Sequence, residues 1–179
     1  FHDELTDTYN RRFFEEEVKR IDTNRQLPIT IIMTDLNGLK IINDSQGHES
    51  GDKLLKKAAK IIKNSIRKED VMARFGGDEF SILLPKTSHE KAKIIIERIK
   101  NKCDKSIDSK LPISLGIGFA TKEKADEDIK QIFKEADNNM YQNKLLASRS
   151  TKNKIVRSLL NSLRAKSDEN CTLTPTTAF

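Results

Sequence analysis

Ala73-Arg74-Phe75-Gly76-Gly77-Asp78-Glu79-Phe80-Ser81-Ile82 sets two glycines between two apolar runs. Upstream, Val71, Ala73 and Phe75 alternate with Met72 and Arg74; downstream, Phe80, Ile82 and Leu84 alternate with Ser81 and Leu83. Period-2 alternation around a two-residue Gly-Gly loop predicts a β-hairpin, because tight hairpin turns demand positive φ. The tip carries Asp78-Glu79. Neighbouring acids there repel each other, and a cation or a basic ligand would offset the repulsion. A solvated turn is the plainer reading, since acids are usually exposed.

Working outward, Ile29 to Thr34 is an almost continuous β-branched apolar run, which predicts a strand buried on both faces and stopping at Asp35. Residues 3–12 read as a polar lead into a helix at about 10–22. Asn37 to Gln46 predicts a short helix closed by Gly47. Gly51-Asp52 opens a longer helix to about Ser65, with Leu54, Leu55, Ala58, Ile61, Ile62 and Ile66 as its stripe. After the hairpin, Pro85 stops the strand, and Thr87-Ser88-His89-Glu90 reads as a capping box for a helix burying Ala92, Ile95, Ile96, Ile99 and Cys103. Ile113 to Ala120 predicts a further strand. Ile129, Ile132, Phe133, Ala136, Met140 and Tyr141 stripe a further helix. This β-α-α-β-β-α-β-α order predicts an α/β (α+β) domain with a mixed, largely antiparallel central sheet flanked by helices. Residues 150–166 read as a C-terminal helix, and the Ser/Thr/Pro/Asn-rich residues 167–179 as a disordered tail.

The chain has 179 residues, enough for one domain with a sizeable core plus extra material at an end. Its formal net charge of +6 suits an anionic partner such as a nucleotide. Lys and Arg are spread along the whole length, so no nucleic-acid stripe is indicated. Cys103 and Cys171 form neither a disulfide framework nor a metal spacing, which fits a reducing cytoplasm. No apolar run approaches membrane-spanning length and no signal peptide is visible, so this segment is expected to make no membrane contact. The abrupt start at Phe1-His2-Asp3 reads as a fragment of a longer protein, whose other segments could anchor it to a membrane.

The chemistry gathers at strand ends. Asp35 closes the central strand, and Asp78 and Glu79 cap a hairpin able to lie beside it. Carboxylates so placed hold Mg²⁺ in palm-like enzymes, with substrate phosphates completing the shell; two such ions clamp the attacking and leaving oxygens of a phosphoryl transfer. Gly38 at a helix start lets backbone N–H groups approach phosphates, and Lys40 adds charge. Asn43 and Asp52, bracketing Gly47-His48, can meet the donor and acceptor edge of guanine. Individually, Asn43 also reads as a cap, His48 as a turn residue and Asp52 as a helix start.

Together these motifs resemble the GGDEF family of diguanylate cyclases from about Asp3 to Arg149. The resemblance is carried by Asp3-Glu4-Leu5-Thr6, Asn10-Arg11-Arg12, Asp35, Lys40, Asn43-Asp44, Gly47-His48, Gly51-Asp52, Arg74-Phe75-Gly76-Gly77-Asp78-Glu79-Phe80, Ser114-Leu115-Gly116, Ala136-Asp137, Tyr141 and Lys144. It implies a palm-like nucleotidyl-cyclase fold over residues 1–149 and condensation of two GTP into cyclic di-GMP with release of two pyrophosphates. It further implies that Asp35, the Leu36 carbonyl and Asp78 hold Mg²⁺ (or Mn²⁺), with Glu79 nearby. Asp78 is then the base for the 3′-hydroxyl, and Lys40 stabilises charge on the phosphates. Gly38, Leu39, Asn43, His48, Asp52, Lys144 and Arg149 form the nucleotide site. The two-fold product implies a transient C2 homodimer. Arg67-Lys68-Glu69-Asp70 has the family's inhibitory-site spacing, Arg-x-x-Asp, with Arg98 as a third contact for cyclic di-GMP; the plainer reading is a charged loop. The resemblance also implies sensor or effector domains elsewhere in the full-length protein, and residues 150–166 look similar to the joint before a phosphodiesterase domain of the HD-GYP type.

The chain departs from the family pattern in four places. Asn37 replaces an acid near the metals, Ser148 takes the place of an Arg that Arg149 would have to replace, Leu39 stands for Phe, and Asp7 replaces a common Gly. Three functions remain in competition: an active diguanylate cyclase, a catalytically weak module that binds cyclic di-GMP or GTP, and a cyclase for a different dinucleotide. Asp52 disfavours the last, because an acid suits guanine's N–H donors.

Overall fold

The computed structural model describes residues 1–106 and 113–145. Strand β2 (Ile29–Leu36) is buried along all eight residues and lies inside the sheet, between β4 and β5. The strand order is β1-β3-β4-β2-β5, with β1 at Tyr9–Asn10, β3 at Val71–Gly76, β4 at Glu79–Leu84 and β5 at Leu115–Lys122. β2 pairs antiparallel with β4 and β5, β3 antiparallel with β4, and β1 parallel with β3. The mixed sheet expected from the element order is present.

Both faces of β2 are covered, which explains its unbroken apolar sequence. Ile32 and Leu36 face a cluster with α2 (Leu39–Gln46), α3 (His48–Lys63) and α4 (His89–Asp104); Ile42, Leu54, Ile62, Ile95 and Ile99 belong to it. Ile29, Ile31 and Met33 face the opposite cluster, built with α1 (Arg11–Ile21) and α5 (residues 129–145) through Phe14, Ile132, Ala136 and Met140. By the two-residue alternation, Asp35 falls on the α1/α5 face.

Five local expectations are corrected. The polar lead contains strand β1, stabilised by pairing with β3 rather than by its own composition; Asn10 then caps α1 by accepting from Phe13 N at 3.0 Å. β2 runs past Thr34 to Leu36, because Asp35 and Leu36 pair with Gly116 and Leu115. α3 begins at His48, since the break lies at Gly47 (φ 83°), leaving Gly51-Asp52 inside the helix. Ser88, not Thr87, caps α4; Thr87 is buried and its hydroxyl donates to Pro85 O at 3.0 Å. In the hairpin, Gly76 pairs with Glu79, so the two turn residues are Gly77 and Asp78, with a bulge between Arg74 and Gly76. Gly76 and Gly77 take φ of 144° and 52°, so positive φ falls on the two glycines as the sequence predicts, although the two-residue turn itself lies one position later.

Candidate active site at the ends of β2 and β4

The hairpin brings Glu79 directly opposite Asp35 as a cross-strand partner. Like charges in that position destabilise a sheet unless a cation intervenes. The cation present is Lys144 of α5, whose Nζ lies 2.6 Å from Asp35 Oδ2. Asp35 is only 4% exposed, and its second oxygen, Oδ1, is buried without a hydrogen-bond partner. Burial pushes the Asp35 carboxyl above the ordinary range and Asp78 adds to the effect, while Lys144 pulls the other way. Glu79 is also raised, by partial desolvation first and then by Asp35, Asp78 and Asp137. Burial alone would lower Lys144, but its hydrogen bond to Asp35 and the surrounding carboxylates keep its proton bound above the ordinary lysine range.

Main-chain contacts hold this arrangement. Leu36 N donates to Asp78 O at 2.9 Å, locking the hairpin turn onto the end of β2. Arg74 donates to Gly77 O at 3.1 and 2.7 Å through Nε and Nη2, and its Nη1 reaches both oxygens of Asp3 at 3.1 and 3.2 Å. The turn that presents Asp78 is thereby tied to the first residues of the chain. Asn37 N donates to Ser114 O at 2.9 Å and its side-chain amide donates to Ser114 Oγ at 3.2 Å; an aspartate at position 37 would lose that second donor.

The first turn of α2 begins beside the end of β2. Gly38 takes φ 82° as the residue preceding α2, with Leu39 and the exposed Lys40 following. Asn43 of α2 packs over Gly51 of α3 so closely that a Cβ at Gly51 would collide with its side chain. Asn43 Oδ1 is another buried oxygen without a partner. His48 and Asp52 are exposed on the first turns of α3.

A divalent cation fits the chemistry of the donor set: hard carboxylate oxygens on adjacent strands, one of them buried and unpartnered. Among the described residues no three His, Cys, Asp or Glu side chains form a ready-made metal cage. Fewer protein ligands suit Mg²⁺, which is commonly held by one or two carboxylates plus substrate phosphates.

The Arg67–Asp70 loop lies apart, between α3 and β3. Asp70 is 8% exposed; its Oδ2 accepts from Arg67 N at 2.7 Å and its Oδ1 is buried without a partner. Burial raises its pKa, against the opposing effect of Arg67. Two clefts flank the loop. One, of about 250 Å³, is lined by His2, Tyr9, Lys63, Arg67, Lys68 and Asp70 among others. The other, of about 230 Å³, is lined by Arg67, Lys91, Ile94 and Arg98 among others. Arg98 Nη1 donates to Ser65 O at 3.3 Å. Arg149 and the helix expected at 150–166 lie outside the described residues, as does the tail at 167–179.

Sequence reading alone missed four contributors: Asp137, whose charge reaches Glu79; Gly51 beneath Asn43; Asn37 with Ser114; and the Arg74–Asp3 pair. Each depends on contacts between distant segments. The one local hint was Arg74, a lone cation in an otherwise apolar strand.

A mixed sheet with acids at adjacent strand ends and helices on both faces has the palm-like architecture. The comparison with known families narrows this: a sequence model described as "Diguanylate cyclase, GGDEF domain" matches residues 1–150, and the chain belongs to that family. It is 34% identical over 163 residues to the probable diguanylate cyclase DgcT of Escherichia coli, covering 86% of this chain and 35% of that protein. It is 38% identical over 120 residues to diguanylate cyclase A of Treponema denticola, covering 65% of this chain and 32% of that one. The chain thus spans about a third of the length of these relatives. Among solved structures, a truncated TpbB (YfiN) from Pseudomonas aeruginosa comprising only its GGDEF domain superposes with a TM-score of 0.73 at 32% identity, covering 82% of this chain and 90% of that one. Among the described residues no helix is long and apolar enough to cross a membrane.

Proposed function

We propose that this segment is a diguanylate cyclase, joining two GTP molecules into cyclic di-GMP. In each half-reaction a 3′-oxygen bonds to the α-phosphorus of the other GTP, the bond to the β-phosphate oxygen breaks, and pyrophosphate leaves. The observation that carries the reading is the cross-strand pair Asp35/Glu79, with Asp78 at the adjacent turn and a buried, unpartnered oxygen on Asp35. Asp35, the Leu36 carbonyl and Asp78 would hold Mg²⁺ or Mn²⁺, which when bound supplies charge neutralisation at the phosphates. Asp78 accepts the proton of the 3′-hydroxyl. Lys40 and the N-terminus of α2 hold phosphate, and Lys144 leaves Asp35 for the triphosphate. Asn43 and Asp52 read the guanine edge beside Gly38, Leu39 and His48, and Arg149 is proposed to supply a phosphate contact in place of the family's Arg.

The product's two-fold symmetry calls for two copies face to face, each presenting one GTP. Cyclic di-GMP is proposed to inhibit at Arg67, Asp70 and Arg98. That reading is supported by the unpartnered Asp70 Oδ1, an acceptor for a guanine N–H, beside basic clefts. A cytoplasmic location, and sensor or effector domains beyond this segment, belong to the same proposal.

Incubating the chain with GTP and Mg²⁺ and separating the products by chromatography tests it. Cyclic di-GMP and pyrophosphate should appear, and specific activity should rise with protein concentration because the reaction needs a pair of copies. Binding of cyclic di-GMP without turnover would favour the alternative of a GGDEF module that only binds; activity per mole that stays flat across a wide dilution would sink the dimer.

A further inference from the structure

We propose that Asn139 and Asn143 form a side-chain zipper that sets the axial register of α5 on the outer edge of β5, and thereby positions Lys144 over Asp35. The functional consequence rests on the reading of Lys144 as a triphosphate contact.

Among the described residues β5 is the outermost strand on its side of the sheet, paired only with β2. Along such a strand alternate residues direct their backbone groups outward. Two of these outward carbonyls are occupied: Asn139 Nδ2 donates to Phe119 O at 3.0 Å, and Asn143 Nδ2 donates to Ile117 O at 2.8 Å. The spacings match. Four helical residues advance about 6.0 Å, and two strand residues about 6.6 Å. A helix laid antiparallel to the edge can therefore meet successive outward carbonyls with residues i and i+4.

Gly118, between the two acceptors, allows the close approach. A Cβ there would collide with Met140 N and Ala136 O, so the helix backbone lies directly on the strand. One step further along, a Cβ at Gly116 would lie 3.5 Å from Lys144 Cβ. Gly116 is the cross-strand partner of Asp35, which Lys144 Nζ reaches at 2.6 Å. The chain from zipper to carboxylate is continuous: Asn139 on Phe119, Asn143 on Ile117, Lys144 over Gly116 and onto Asp35.

The apolar stripe of α5, with Ile132, Ala136 and Met140, decides which face is buried. Apolar contact is non-directional, so it defines axial position only loosely. Amide-to-carbonyl bonds are directional. A slip of one residue turns a helix by about 100° and would carry Lys144 off Asp35. Covering an exposed sheet edge is a role that any donor could fill; the match of two bonds to the Lys144 register is what points to positioning.

The test uses the full chain with Asn139→Ala and Asn143→Ala combined. Alanine is the better helix former, so α5 itself is not at risk. Amide hydrogen exchange over residues 136–145 should accelerate roughly tenfold while α4 is unchanged. Unchanged exchange overturns the zipper. Affinity for a non-hydrolysable GTP analogue, measured by calorimetry, should fall roughly three- to tenfold, as for the loss of one or two ordinary hydrogen bonds. In a Lys144→Ala background the same pair of substitutions should change affinity by less than about twofold, because coupled groups are non-additive. An equal loss in both backgrounds means edge cover alone and overturns the positioning role. If exchange accelerates but Lys144→Ala by itself leaves analogue binding intact, the zipper stands and the triphosphate reading of Lys144 falls.

Discussion

Two aspartates, Asp35 and Asp70, are buried to a similar depth, and each has one oxygen hydrogen-bonded and the other buried without a partner. Burial raises the pKa of both. They differ in what holds the bonded oxygen. For Asp35 it is the ammonium of Lys144, 109 residues away on a long side chain. For Asp70 it is the main-chain N–H of Arg67, three residues back in the same turn. A side-chain cation can leave when a metal or a phosphate arrives, whereas a turn N–H cannot. On the proposed reading, Asp35 is therefore a site whose counter-charge is exchangeable, and Asp70 an acceptor set in advance for a neutral donor such as a guanine N–H. Burial alone distinguishes neither role; the kind of partner does.

The sharpest way to break this comparison is to neutralise Asp35 without changing its shape. Asp35→Asn, or Asp78→Ala, should lower pyrophosphate release from GTP by at least about a hundredfold, since each removes a metal ligand expected to supply several kcal/mol of charge stabilisation. Asp35→Asn should still bind cyclic di-GMP at the Arg67 loop. Parent-like turnover in Asp78→Ala would end the two-carboxylate reading. Arg67→Ala is the converse probe. Loss of a charge-assisted bidentate contact, about 1.5–3 kcal/mol, should weaken cyclic di-GMP binding ten- to a hundredfold in a calorimetric titration while cyclase chemistry survives. Undiminished binding would reduce Arg67-Lys68-Glu69-Asp70 to a charged loop.

The same contrast explains what was legible in the sequence. The Arg67–Asp70 turn closes within four residues, so its spacing was visible in the chain. The hairpin was legible from its alternation and glycines, and β2 from its unbroken apolar run. The Asp35–Lys144 pair and the Asp35/Glu79 opposition exist only once α5 and β4 have both docked on β2; the family resemblance brought those residues together as a set, but their contacts could not be read from spacing. The turn was misplaced by one residue because a bulge between Arg74 and Gly76 shifts the pairing, and a bulge has no strong local signature in this segment. β1 was missed because two residues carry no periodicity, and their strand character comes from β3.

Gly51→Ala probes the nucleotide side of the site at smaller cost. Asn43 occupies the space that a Cβ at Gly51 would take, so the alanine must displace the Asn43 amide from its buried position. α3 should be retained, because alanine suits a helix interior better than glycine. KM for GTP should rise roughly three- to tenfold with kcat little changed, the loss of about one hydrogen bond to the base. An unchanged KM would show that Asn43 is a structural contact between α2 and α3.

The smallest expected effect is on stability, and its sign follows from Asp70. Because its folded-state pKa lies above the unfolded value, the folded protein binds that proton more readily than the unfolded chain does. The contribution to stability is fully present below the ordinary aspartate pKa and is lost as pH rises through the raised value. Asp3 runs the other way. Burial pushes its pKa up, but hydrogen bonds from Thr6 and the Arg74 guanidinium outweigh that and leave it lowered. Its contribution is present above the ordinary value and is lost as pH falls through the lowered one. Asp70→Asn keeps an acceptor for Arg67 N and removes the titration. Its melting temperature should therefore change in parallel with the parent's below about pH 3.5, and the parent should lose ground to it as pH rises from there toward neutrality, the ordinary aspartate value being about 3.9. Asp3→Asn should lose ground to the parent at lower pH, as pH rises from the lowered value to the ordinary one, and should run parallel to it above about pH 4. Thermal melts of the three proteins at matched ionic strength measure both slopes. If the parent and Asp70→Asn stay parallel across the whole range, Asp70 titrates as an exposed aspartate would, and its buried, unpartnered oxygen is no pre-set acceptor.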